Sequence, residues 1–171
     1  FVNVSHLGQV GHMEQRTNEE TGEKTWIRTS PVGGAYGRFW SPETRMPCSA
    51  PPFGELVAVD ANTGDEAWRV PLGIVEDLEA KGIRKTGALN LGGSLATAGG
   101  LVFIGATADR RFRAFDAKTG RELWVADIGA DAKAAPMTFL GRDGRQYVVI
   151  MAGGGLQLSR STPPVGRNLI A

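Results

Sequence analysis

An all-β fold assembled from repeated antiparallel sheets is predicted by three features of this sequence. The first is an internal repeat. Residues 58–73 return as residues 114–129, 56 positions later, and both copies follow the pattern A-x-D-A-x-T-G-x-E-x-W. The second is composition: 42% hydrophobic, 22% charged, and 24 glycines in 171 residues, which suits a turn-dense β protein better than a helical or disordered one. The third is a succession of short β-prone runs separated by Gly, Asp and Pro turns.

Taken in order, residues 1–4 read as a strand, followed by a long irregular excursion over 6–52. Each repeat then translates into a hairpin. Residues 55–59 and 112–115 are β-prone, and each run ends at an aspartate, Asp60 or Asp116, suited to capping the turn that follows. Gly64 and Gly120 supply the positive φ of the loop, and second strands follow at 66–70 and 122–126, carrying Trp68 and Trp124 at matching places. Between the copies, 74–89 is a second insertion with one or two helical turns near 76–81. Residues 92–98 read as an inner strand, Gly99-Gly100 as a turn, and 101–106 as an apolar strand. Strands at 135–140 and 146–152, joined by a turn at Arg142-Asp143-Gly144, open a further unit.

Four antiparallel strands with a glycine-rich inner strand and an outer Trp are what a β-propeller blade requires. The prediction is therefore a partial propeller of about two blades. It comprises a partial blade over 1–73 with its insertion at 6–52, a complete blade over 92–129, a half blade over 134–155 and a tail over 156–171. Each Trp ring has on the order of 150–250 Å² to bury, so Trp68 and Trp124 are expected to act as wedges between neighbouring units. Open blade edges invite self-association.

Other classes are disfavoured. Nineteen basic residues against eighteen acidic ones give a net charge of +1, so nothing points to nucleic acid or an anionic membrane. No apolar run approaches the roughly 20 residues needed to span a bilayer. Cys48 is the single cysteine, which excludes an internal disulfide. The opening Phe1-Val2-Asn3-Val4, without an initiating Met or a leader pattern, reads as a start inside a larger array.

The repeats resemble the tryptophan-docking motifs of dehydrogenases dependent on pyrroloquinoline quinone (PQQ), whose fold is an eight-bladed propeller. The segment Met46-Pro47-Cys48-Ser49-Ala50-Pro51-Pro52-Phe53-Gly54 is similar to one typical of the membrane-associated glucose and quinate branch. Further similarity runs through residues 92–101, Ala135-Pro136-Met137-Thr138 and 146–155. The resemblance implies a parent enzyme that uses PQQ and calcium, oxidises a sugar, polyol or other alcohol hydroxyl, passes electrons to quinone, and resides in the periplasm, with any membrane anchor in a segment not present here. It implies that the catalytic base and the calcium ligands lie outside this chain, so no catalytic or metal-binding residue is assigned within it. Leu91 and Gly92 fall where the family brings a side chain and backbone up to the quinone; they are the cofactor-binding candidates, with tight inner-strand packing as the alternative. Related alcohol dehydrogenases place Trp where Leu91 stands, so an apolar cover is expected there and a side-chain hydrogen bond is not. The chain alone is expected to be inactive and to bind no cofactor tightly.

Other candidates carry less. His6 and His12 lack companion ligands at metal-site spacing. Asp60 and Asp116 occupy the same turn of different repeats, which makes capping a better account than acid–base chemistry. The glycines at 92, 93, 99 and 100 lack the helix and Lys-Ser/Thr pair of a phosphate loop. Lys81, Arg84 and Lys85 read as a solvated face, and Cys48, without a basic neighbour, as a packing residue. A non-catalytic propeller acting as an interaction scaffold would explain the Trp repeats equally well, but not the 46–54 and 92–101 segments.

Overall fold

The computed structural model describes residues 1–33, 36–154 and 168–171. They form two compact units, one made of Phe1–His6 with Ala50–Ala171 and the other of Leu7–Ser49. The chain leaves the first unit after β1 (Val2–Ser5). Within the second unit, β2 (Gln9–Val10) pairs antiparallel with β5 (Gly37–Arg38), and β3 (His12–Thr17) with β4 (Lys24–Thr29). The excursion expected over 6–52 is thus a small folded unit carrying two ladders.

The first unit is built of three antiparallel sheets. In the first sheet, β6 (Gly54–Val59) lies between β1 and β7 (Glu66–Pro71). A connection containing the single turn α1 (Glu76–Glu79) leads to the second sheet. That sheet is four-stranded in the order β11-β10-β9-β8, from β8 (Ser94–Ala96), β9 (Leu101–Ile104), β10 (Arg111–Asp116) and β11 (Glu122–Asp127). In the third sheet, β13 (Gln146–Ala152) lies between β12 (Met137–Leu140) and β14 (Asn168–Ile170). β14 arises within the span predicted as a tail, and it gives the last sheet a third strand where the sequence predicts two. Residues 155–167, which hold most of that tail and the end of the 146–155 similarity, lie outside the described residues.

Side chains alternate across the middle sheet, and that alternation builds two cores. Val102, Ile104 and Phe115 pack with Leu56 and Leu72 of the first sheet. Phe112 packs with Ile150 and Ala152 of the third. Both repeat turns close as expected. The Asp60 and Asp116 carbonyls accept from Gly64 N (2.8 Å) and Gly120 N (2.9 Å), while the carboxylates accept from Asn62 N (2.8 Å) and Thr119 N (2.9 Å). These aspartates are caps. The hydroxyl and amide of Thr119 hold the Asp116 carboxyl below its ordinary range.

Trp68 is the predicted wedge. Its Nε1 donates to Ala117 O at 3.0 Å, and its ring lies so close to Gly120 that a Cβ there would sit 2.6 Å from Cε3. The indole of one sheet is therefore seated on the repeat turn of the next. Trp124 departs from the expectation. It is 48% exposed, meets Phe112 edge-on, and borders an open apolar pocket with Phe103, Val148 and Ile170. The reason is topological: among the described residues, no second repeat turn faces it from the third sheet. That sheet also leaves Met137, Phe139, Leu140, Met151 and Leu169 exposed.

Candidate functional site

The connection from β7 to β8 returns toward the middle sheet through residues 86–93, and both neighbouring sheets hold its backbone. At the edge of the first sheet, Phe53 N, just before β6, donates to Thr86 O (2.7 Å), and Leu72 O, just after β7, accepts from Ala88 N (2.7 Å). From the connection between β9 and β10, Ala108 N donates to Leu89 O (3.0 Å) and Ala106 O accepts from Leu91 N (2.9 Å). A backbone tied from both sides has little freedom to move.

Asn90 is the staple of this segment. It is 5% exposed. Its Oδ1 accepts from Asn3 Nδ2 (2.7 Å), its Nδ2 donates to Val4 O (2.8 Å) and Ala88 O (3.2 Å), and its backbone exchanges two 2.9 Å bonds with the Ser5 hydroxyl. Immediately beyond it, Leu91 is 57% exposed, so the backbone is fixed while the apolar side chain is left open. Gly92 follows at φ +148°, where a Cβ would lie 2.7 Å from Lys133 O, and a Cβ on Gly93 would lie 3.1 Å from that of Ala135. The structure thus brings the two predicted residues together at the entrance to β8, beside the connection that leads into the third sheet. Leu91 therefore presents an exposed aliphatic side chain that offers no hydrogen bond, while Gly92 allows the close approach to Lys133 O and Ala106 that tight inner-strand packing requires.

A buried ion pair sets the adjoining turn between β9 and β10. Arg113, 2% exposed, donates through Nη2 to Asp109 Oδ2, through Nη1 to Thr107 Oγ1 (3.0 Å) and Asp109 Oδ1 (3.1 Å), and through Nε to Glu122 (3.0 Å). Asp109 Oδ2 also accepts from Ile74 N at 3.0 Å, which ties the β7–β8 connection to the same turn. Every acceptor in this cluster is engaged, the condition under which a buried charge is tolerated. The repeat carries a signal for the pair that the motif does not: Arg113 stands where the sister copy has Val57.

The remaining candidates fall out of the site. His6 bonds to Glu55 at 2.5 Å, and Arg69 Nη1 reaches the same carboxylate at 2.8 Å. Burial works to raise the Glu55 pKa, but the bonds from His6 and Arg69 outweigh it and hold the carboxyl below its ordinary range. His12 lies in β3 of the other unit. Among the described residues, no group of three or more His, Cys, Asp or Glu side chains is placed to hold a metal ion. Cys48 is exposed, which corrects its reading as a packing residue. Arg84 pairs with Glu79 at 2.6 Å, and Lys81 and Lys85 are exposed.

Comparisons with known proteins bear on the fold and the family. The family profile for the β-propeller domain of PQQ glucose/ethanol/alcohol dehydrogenases matches residues 1–148. A probable quinate dehydrogenase (quinone) of Xanthomonas campestris pv. juglandis is 44% identical over 85% of this chain and 18% of its own length. The quinate/shikimate dehydrogenase (quinone) of Acinetobacter baylyi is 37% identical over 100% of this chain and 23% of its own. Among solved structures, a europium-containing methanol dehydrogenase aligns over 90% of this chain and 22% of its own, with a TM-score of 0.52 and 25% identity. The chain spans about a fifth of the length of these relatives.

Proposed function

The chain belongs to the β-propeller family of PQQ-dependent dehydrogenases, in the membrane glucose/quinate branch, and we propose that it is an arc of such an enzyme, lining the cofactor chamber with Leu91 and Gly92. The parent oxidises a secondary hydroxyl of a polyol, in the first place a polyhydroxy acid of the quinate type, and hands the electrons to quinone. When bound, PQQ supplies the redox chemistry by taking two electrons from the substrate alcohol. The part of this chain is to present a rigid apolar cover to one face of the cofactor.

The clamped 86–93 segment carries this reading. A flexible loop would gain little by presenting Leu91, whereas a backbone held from two sheets does so without further ordering cost. The residues fit a planar cofactor for the same reason. Calcium, the general base and the remaining cofactor contacts are assigned to other parts of the parent, together with any anchor to the membrane. No helix among the described residues is long and apolar enough to cross a membrane. The exposed apolar face of the third sheet is where a further blade would pack; in the isolated chain, that face drives self-association, which sedimentation would read as a mass above 18.2 kDa.

The test uses the full-length parent reconstituted with PQQ and calcium, assayed for dye-linked oxidation of quinate, glucose and simple alcohols. Turnover of quinate is expected, and Gly92→Val should cut PQQ retained after gel filtration by about tenfold, since its side chain would press on Lys133 O and Ala106 and displace the backbone that carries Leu91. A parent that retains no quinone and oxidises none of these substrates overturns the reading.

A further inference from the structure

The Leu7–Ser49 unit holds an alternating stack of cations and rings that the propeller does not require. Arg28 Cζ lies 4.6 Å from the Tyr36 ring centre, Arg38 Cζ lies 5.9 Å from Tyr36 and 4.9 Å from Trp40, and Arg45 Cζ lies 5.8 Å from Trp40. Arg28 and Arg38 take part in none of the ion pairs formed among the described residues. Arg38 Nε is moreover buried without a hydrogen-bond partner. A guanidinium stacked on a ring keeps its in-plane N–H fork available and is already oriented, the arrangement that recognises a carboxylate with least loss of freedom.

The acids of the unit are placed elsewhere. Glu19, Glu20 and Glu23 sit around the β3–β4 turn, and Glu14 pairs with Ile27, so it lies on the opposite face of the hairpin from Arg28, which pairs with Met13. Glu43 is exposed, in the turn that leads to Arg45. Five bases (Arg16, Lys24, Arg28, Arg38, Arg45) balance five acids (Glu14, Glu19, Glu20, Glu23, Glu43), so the unit is neutral as a whole. A neutral unit exerts no long-range pull on a polyanion or an anionic membrane. Two unpaired forks beside a half-exposed Tyr36 instead match a small ligand with one acid group and a compact carbon skeleton.

We propose that the Arg28–Tyr36–Arg38–Trp40–Arg45 stack is a binding site for a small organic monocarboxylate. Its identification with the substrate's acid group rests on the polyhydroxy-acid reading above; carboxylate binding itself does not. In this scheme the stack captures the carboxylate, and an uncharged alcohol gains nothing from it.

The test is titration of the 171-residue chain at low salt, by calorimetry and Trp fluorescence, with sodium quinate, quinate methyl ester, inorganic phosphate and phosphatidylglycerol vesicles. Saturable binding of quinate is expected, with at least about tenfold weaker binding of the ester and of phosphate, and none to vesicles. Arg28→Gln and Arg38→Gln should each weaken quinate by about tenfold, while Arg16→Gln, on the other hairpin face, should leave it unchanged. Arg28 is exposed, so its variant decides the matter even where Arg38→Gln fails to fold. Ester binding equal to quinate, preference for phosphate or vesicles, or unaltered affinity in folded Arg28→Gln overturns the site. A parent without turnover sinks the functional reading alone, because titration of the chain still decides whether the site exists.

Discussion

Gly64 and Gly120 occupy the same place in the two repeats, and they form a natural control on the seating of Trp68. Both have positive φ, +81° and +71°. A Cβ on Gly64 would meet nothing within 4 Å, whereas one on Gly120 would lie 2.6, 2.9 and 3.0 Å from three ring atoms of Trp68. Gly64→Ala should therefore cost only the backbone term, about 1–2 kcal/mol for a left-handed non-glycine residue, less the ~0.4–1 kcal/mol gained by restricting the unfolded chain. Gly120→Ala adds an overpacking cost of about 1–3 kcal/mol, and a displaced indole loses its bond to Ala117 O, worth ~0.5–1.5 kcal/mol. The expected totals are about 1 kcal/mol and about 2.5–5.5 kcal/mol. Urea unfolding followed by far-ultraviolet circular dichroism gives both numbers, and Trp fluorescence reports separately on the indole. Trp68→Phe in the Gly120→Ala background should reduce the excess, since the smaller ring makes room. If the two glycine variants agree within about 0.5 kcal/mol, Trp68 does not hold the sheets together by seating on that turn.

Three further outcomes follow from the clamped connections and the acid clusters. Arg113→Met should destabilise by about 3–5 kcal/mol in urea, because it strands Asp109 in the core; adding Asp109→Ala should recover part of that loss, and strict additivity would count against a coupled pair. Glu55 has a lowered folded pKa, so its stabilisation is complete above its unfolded value near 4.5 and is lost as pH falls through the folded value; Glu55→Gln should flatten the decline of the urea midpoint below pH ~4.5, and an unaltered decline would remove Glu55 as its source. Asn90→Ala should cost about 2–4 kcal/mol and speed hydrogen exchange of the Leu91 amide, whose unchanged protection would show that Asn90 does not hold the segment.

The strands, the repeat turns and the role of Trp68 were legible in the sequence because each is set locally. An Asp at the end of a β-prone run and a Gly four residues later fix the turn wherever they occur, and an indole after it has few places to go. Asn90 and Arg113 were not legible in that way. Asn90 acts through Asn3 and Ser5, more than 80 positions distant, and no local pattern encodes such a partnership. Arg113 is visible only as a departure from Val57 in the sister repeat, which marks that something differs and not what satisfies the charge. The solvent-facing state of Trp124 shows the limit from the other side, for the motif specifies the wedge while the neighbouring sheet must supply the seat.

Register divides the three sheets into two ends with different physical demands. At one end lie the short turns of β6–β7, β8–β9, β10–β11 and β12–β13, and there Ala117 N bonds Gly100 O (2.9 Å) and Trp68 is seated. At the other end lie the longer connections: residues 72–93, 105–110 and 128–136, with Leu91, Gly92, Lys133 and the Asp109–Arg113 pair. The chain also leaves for and returns from the Leu7–Ser49 unit at this second end, because Ser5 pairs with Gly54. Short turns with repeating chemistry fix the spacing between sheets, and that leaves the opposite end free to vary in length and content without loosening the stack. Spacing between sheets and the content of the longer connections are thereby set by different residues. The two ends separate those demands within each sheet, which is why a segment held as closely as 86–93 can share an end with connections as unlike in length as 72–93 and 105–110.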